Sequence, residues 1–461
     1  MATMRQPLTG APSQESPPSS VRFDWIMVLV TIWGIGGLFL DGWAHSNLPQ
    51  LETFFTPWHA VLYSGYLAVT ATLVIKTISN RKLAASGESA SGATPSLVTL
   101  SRNHARGSRW LEAVPAGYGL SLLGVGLFAV SGVADLSWHL LFGIERSVDA
   151  LLSPTHLGLA LGGGLAATGP LRAAWHRRDG ADAGSWRQLG PAIISLITTL
   201  SLLTFFTEYA SPFVNPWPIY PASFVAGFGP AIGITDILLH TGLLMSFILL
   251  ALRRWRLPMG AFTLIFTTNT GLMAVFSPEV VVFLLPCALL GGLAADLLYK
   301  RLHPSEERRE STRLFALAVP ALLYLFYFLN LAIVGPLRFQ SGISWSVHFW
   351  AGSIVLAGIV GFLLSYVMFP PLNPRRSKKN HTHKPCRPGL APELGMIYKP
   401  FHLFIYPQRS QEDWRSKAYV FRLVGLDATT VRQMSAAWSP RPLQPSALVT
   451  GSSLPHCVTL R

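Results

Sequence analysis

Charge and cysteine are what this sequence has least of. Only 13% of its 461 residues are charged, about half the 25% usual in soluble domains, which excludes a water-facing surface for most of the chain. Three cysteines, Cys287, Cys386 and Cys457, are too few and too scattered for a disulfide framework or a thiolate metal motif. There is no Walker loop, no Gly-x-Ser-x-Gly nucleophile elbow and no paired Cys-x-x-Cys, so ATPase, serine-hydrolase and thiol-redox functions lack support. Acidic residues are scarce as well, 22 against 36 Lys and Arg.

What the chain has instead is apolar length. Half of it is hydrophobic, and runs near 20 residues suit the hydrocarbon thickness of a bilayer. Ten such segments can be drawn, at 24–42, 57–78, 116–139, 153–174, 190–208, 228–252, 258–276, 279–300, 314–335 and 345–369. The expected fold class is therefore all-α, a polytopic transmembrane helix bundle built from hairpins. Residues 24–369 would form that domain, with the first hairpin duplicated inside 24–175. Segment 1 is longer than a usual signal sequence, and cleavage after Ala44-His45-Ser46 would remove Asp41, so an uncleaved helix is expected.

Loop charge predicts orientation. The loops after segments 2, 4, 6 and 8 hold 18 Lys and Arg, whereas those after segments 1, 3, 5, 7 and 9 hold only Arg146 and Arg338. Cytoplasmic loops carry the excess, which puts both termini in the cytoplasm of a cell with this protein in its plasma membrane. Residues 1–23 and the basic tail 370–461 read as disordered. The tail carries 14 basic and 4 acidic residues, a charge suited to anionic lipid headgroups; no recognition motif accompanies it, so no nucleic-acid partner is expected. The stretch Ala84–Pro95 reads as a flexible linker.

Against this apolar background one polar pattern occurs twice. Asp41 and His45 are followed by Thr56-Pro57-Trp58-His59, and Asp135 and His139 by Ser153-Pro154-Thr155-His156. Each Asp-x3-His closes one apolar segment and each last His opens the next. Spacing of four puts Asp and His on one helix face, and the hairpin brings the last His to the same membrane level. Ionisable groups here are costly enough that function is the default reading. One carboxylate and two imidazoles suit a divalent transition metal, Cu or Zn before Fe, with a position open for water or substrate. Polar glue between helices is the plainer alternative. Ser/Thr-Pro alone is only a helix start, a cap followed by proline.

Other candidates surround these. Glu52, Glu145, Asp149 and Glu208 fall on the same side of the membrane. Asp236 and His240 form a third Asp-x3-His, about 9 and 15 Å into segment 6. With Glu279 and His348, at the starts of segments 8 and 10, they are candidates for a proton or ion relay.

The first trio resembles the membrane metal site in the C subunit of the particulate methane and ammonia monooxygenases, where Asp-x3-His is followed about a dozen residues later by His. Asp41, His45 and His59 match in type and order, and the resemblance implies that they can hold copper or zinc. The intervening loop is one residue longer here, the motif recurs, and this chain has more segments. Elsewhere the chain resembles a bacterial polytopic membrane protein.

Three functions accommodate these features: a metal-dependent membrane oxidoreductase or hydrolase with its site at the extracytoplasmic face, a cation- or proton-coupled transporter, and a structural or assembly component of a membrane complex. No interrupted pair of helices, the usual mark of a transporter site, is evident in the sequence. The orientation is checked by reporter fusions. Fusions at Glu52, Asp149 and Pro216 should report outside and those at Ser91 and Arg178 inside; an external Ser91 would overturn the placement of both trios at the outer face.

Overall fold

The computed structural model describes residues 17–48, 55–90, 110–143, 148–177, 184–220 and 228–370. All belong to the first of two compact units, Met1–Thr382. Residues 1–16 and the tail from 371 onward, both expected to be disordered, lie outside the described residues, as do Glu52 and Glu145.

The chain is an all-α polytopic bundle, and among the described residues eight helices are long and apolar enough to cross a membrane. In order, the helices are α1 (Val21–Asn47), α2 (Pro57–Ala90), α3 (Gly119–Phe142), a short α4 (Val148–Leu152), α5 (Pro154–Ala167), α6 (Gly169–His176) and α7 (Trp186–Phe206). They continue with α8 (Gly229–Arg254), α9 (Ala261–Leu272), α10 (Pro278–Leu302), α11 (Arg309–Arg338) and α12 (Val347–Met368). Large apolar side chains such as Leu29, Leu123, Val133, Val282 and Val367 are exposed, as expected of helices that face lipid.

Three segments differ from the expectation. The fourth is not one helix: it breaks at Thr168, where Gly169 and Pro170 start α6; Pro170 has no N–H to continue the ladder of α5 and takes a first-turn position, where none is needed. The seventh is a twelve-residue helix ending in a 3-10 turn, Met273–Val275. One segment, the fourth, is therefore interrupted. Conversely, α2 runs on to Ala90 through the stretch expected to be a linker, since Lys82, Leu83 and Ala84 are good helix formers. At the N-terminus, Ser20 caps α1 by accepting from Phe23 N at 3.2 Å, so helix begins within the stretch expected to be disordered.

Glycines set how closely the first two hairpins pack. A Cβ on Gly65 would lie 2.4 Å from Gly34 Cα, and one on Gly37 2.6 Å from Leu62 Cα. These contacts sit one to two turns inward of Asp41 and His59. In the second hairpin a Cβ on Gly162 would lie 2.7 Å from Phe128 N, and one on Gly158 2.3 Å from Ser131 Oγ. Small residues let backbones approach where lipid supplies no hydrophobic drive between helices.

Polar networks tie the ends of the bundle. Asp24, fully buried in α1, accepts from Ser19 Oγ at 2.5 Å and Tyr118 Oη at 2.7 Å, and pairs with Arg177. This joins α1 to the starts and ends of the second hairpin. Asp296 of α10 accepts from Gly260 N at 3.0 Å, Thr263 N at 2.9 Å and Thr263 Oγ1 at 2.6 Å. A carboxylate at these orphan amides is what holds the short α9 in place. The larger apolar core lies among α7 to α12.

The close crossing yields a paired prediction. Gly65→Val should lower the thermal midpoint in detergent, by the equivalent of about 1–3 kcal/mol for a forced overpacking. Gly36→Ala, on the facing α1 but with nothing within 4 Å of the added Cβ, should match or exceed wild type. Equal midpoints for Gly65→Val and wild type would show that the crossing does not depend on the absent side chain.

Candidate metal centre

Both hairpins build their polar trio by the same local means. Thr56 Oγ1 accepts from His59 N at 3.2 Å and Ser153 Oγ accepts from His156 N at 3.3 Å. Each hydroxyl caps a helix whose first residue is proline, and the cap fixes the histidine in the first turn. The plain reading of Ser/Thr-Pro as a helix start thus holds, and it also explains why the histidine is positioned. From the preceding helix the Asp-x3-His pair faces it.

In the first trio, Asp41 Oδ2 lies 3.5 Å from His59 Nε2 and 3.8 Å from His45 Nε2. In the second, Asp135 Oδ1 lies 3.2 Å from His156 Nε2, and Oδ2 lies 3.5 Å from His139 Nε2. The donor atoms of each trio all fall within 4.8 Å of one another. Two ligands about 2.05 Å from a tetrahedral ion sit roughly 3.3 Å apart, so the Asp–His separations are close to a coordination edge.

The outer ring nitrogens have partners of their own. His59 Nδ1 lies 3.2 Å from Thr56 Oγ1, and His139 Nδ1 lies 3.3 Å from the Gly143 carbonyl. Gly143 adopts φ 83°, a left-handed turn that glycine accepts without strain and that returns its carbonyl to the helix end. A carbonyl can only accept, so Nδ1 of His139 carries the proton. A neutral His139 then presents the Nε2 lone pair to a carboxylate, an arrangement that calls for a proton or a cation between them.

The two trios differ in how complete they are. Asp135 is 1% exposed and also accepts from Thr155 Oγ1 at 2.7 Å; Thr155 is the variable residue of Ser-Pro-x-His, a role the motif alone does not reveal. Asp41 Oδ1 is buried with no hydrogen-bond partner among the described residues. A buried carboxylate oxygen without a donor is costly, and a bound cation would satisfy it. By this test the residues of the first trio fit a metal better than those of the second.

The trios also share space. A cavity of about 100 Å³ between the hairpins touches Asp41 and His59 of one and Asp135 and His156 of the other. Its wall is mostly apolar, with Leu38, Leu62, Phe128 and Leu159, and Tyr63 and Tyr66 add ring faces. Tyr63 sits one turn beyond His59 and reaches across to Gly132, one turn before Asp135.

The third Asp-x3-His is arranged otherwise. Asp236 and His240 are both buried and turn inward, each to a separate partner. Asp236 accepts from Trp217 Nε1 at 2.7 Å, and His240 Nδ1 lies 2.9 Å from Tyr324 Oη. The Pro-rich stretch that carries Trp217 folds into the bundle, with Tyr327 Oη donating to the Pro212 carbonyl at 2.9 Å. Glu279 and His348 are exposed at the starts of α10 and α12, and the structure does not bring them to Asp236 or His240. Sequence reasoning passed over Asp24 and Asp296; each is a lone carboxylate inside an apolar run, and that isolation was the available signal.

No family model, curated protein or solved structure matches this chain.

Proposed function

We propose that this multi-pass membrane protein binds divalent transition metal through Asp41, His45 and His59, and through Asp135, His139 and His156. The observation that carries the reading is the first trio: two imidazole nitrogens 3.5 and 3.8 Å from one carboxylate oxygen, with the other oxygen of Asp41 buried and without a donor. Copper and zinc suit this nitrogen–oxygen set best, and iron is the next candidate. The asymmetry of loop charge supports a site at the extracytoplasmic face of the plasma membrane with both termini inside, and the basic charge of the tail suits anionic headgroups.

A metal held by three protein ligands lowers the pKa of bound water or activates oxygen, which is the basis for a hydrolase or oxidoreductase assignment. The chain's own residues would orient the imidazoles through Thr56 and Gly143 and exclude water through the apolar wall of the shared cavity. A second reading, cation or proton transport, is favoured by one specific observation. Segment four is interrupted at Thr168, and interrupted helices mark substrate sites in transporters. Cation flux in proteoliposomes separates the two.

Elemental analysis of detergent-purified protein tests the binding itself. Wild type grown in Cu-, Zn- and Fe-replete medium should carry stoichiometric metal, and His59→Ala and His156→Ala should each lose metal while keeping the wild-type thermal profile. Binding should weaken as pH falls through the histidine range, because the ligands must be neutral to coordinate. Wild-type protein without metal would leave the trios as proton or packing groups and move the transport reading ahead.

A further inference from the structure

A second, wider cavity meets the first. Its volume is about 430 Å³, and it lies where α1 ends, bounded by Asp41 and His45 of the first trio, His156 of the second, and Glu208, Asn215 and Ser277. Leu38, Asp41, His156 and Phe206 border both cavities. These four form a neck between a polar vestibule and the apolar chamber behind it. One residue of each trio thus stands at one opening, and the two trios share one approach.

Glu208 supplies the vestibule with a carboxylate that is not part of either trio. α7 ends at Phe206, and the 3-10 turn Glu208–Ala210 follows, placing the side chain beyond the membrane span and beside the apolar Phe205, Phe206 and Val214. Burial pushes the Glu208 carboxyl up to about 7. Among the described residues, the remaining titratable groups facing the vestibule are Asp41 and His45 from α1 and His156 from α5. In a chain of net charge +14, a partly buried carboxylate at the mouth of a low-dielectric cleft focuses the field that draws cations in.

We propose that this vestibule is the common entry for hydrated divalent metal to both trios, and that Glu208 is the carboxylate that captures the ion there. The ion loses water at Glu208 and meets ligands of both trios, Asp41, His45 and His156, at the vestibule wall. This rests on the metal reading given above. It adds an entry residue that binds in passing and is absent from the final coordination sphere.

Loading of the detergent-purified full chain with Co²⁺, followed by the absorbance of the tetrahedral ion in stopped flow, tests this. Glu208→Gln should slow loading about tenfold at low ionic strength, with the difference shrinking as salt screens the charge. Final stoichiometry and thermal midpoint should stay at wild-type values. Ser46→Trp, which fills the vestibule from the exposed end of α1, should also slow loading. Glu279→Gln, an exposed carboxylate outside the vestibule, should load like wild type. If Glu208→Gln loads at the wild-type rate, or Glu279→Gln is slowed equally, the entry role is overturned while metal binding stands. If wild type takes up no Co²⁺, the metal reading itself fails and this inference falls with it.

Discussion

Moving a carboxylate out of water costs several kcal/mol even after the protein relaxes, and among the described residues five aspartates are nearly or fully buried: Asp24, Asp41, Asp135, Asp236 and Asp296. How each is compensated organises the structure. Asp24 has a guanidinium and two hydroxyls and fastens the first hairpin to the second. Asp296 has the amides at a helix start and holds the short α9. Asp236 has an indole N–H from the loop that folds over the bundle end. Asp135 has two imidazoles and a hydroxyl. Asp41 alone of the five keeps a buried oxygen with no donor.

That series distinguishes structural glue from a binding site more sharply than the motif does. Asp24, Asp236 and Asp296 have donors that suffice to hold helices together, whereas Asp41 and Asp135 each face two imidazoles. Asp41 has in addition an unsatisfied oxygen, at the junction of two cavities. A neutral imidazole and a carboxylate facing each other gain most when a cation lies between them. The close glycine crossings serve this geometry: a hairpin held further apart at Gly34 and Gly65 would not bring His59 to Asp41.

Much of the bundle was legible because lipid imposes simple rules. Apolar length located the spanning segments, and the spacing of Asp, His and Ser/Thr-Pro-x-His located the trios. What was not legible depends on partners distant in sequence. The break at Thr168 had a local sign in Gly169-Pro170, but an apolar run continues through it and hydropathy reads straight across. The start of α9 depends on Asp296, over thirty residues away. Asp236 and His240 look like a coupled pair at spacing four, yet Trp217 and Tyr324 claim them separately. The helix extending through Ala84–Ala90 shows the reverse error, in which small residues that read as linker continue a strong preceding helix.

The central claim is that the first trio is a coordination sphere, and X-ray absorption at the edge of the bound metal addresses it most directly. Metal-loaded wild-type protein should show nitrogen and oxygen scatterers at about 2.0–2.1 Å, with the outer-shell pattern of two imidazoles per ion, and Asp41→Asn should change that first shell. A spectrum of sulfur scatterers, or of an ion ringed by water without imidazole, would contradict the account.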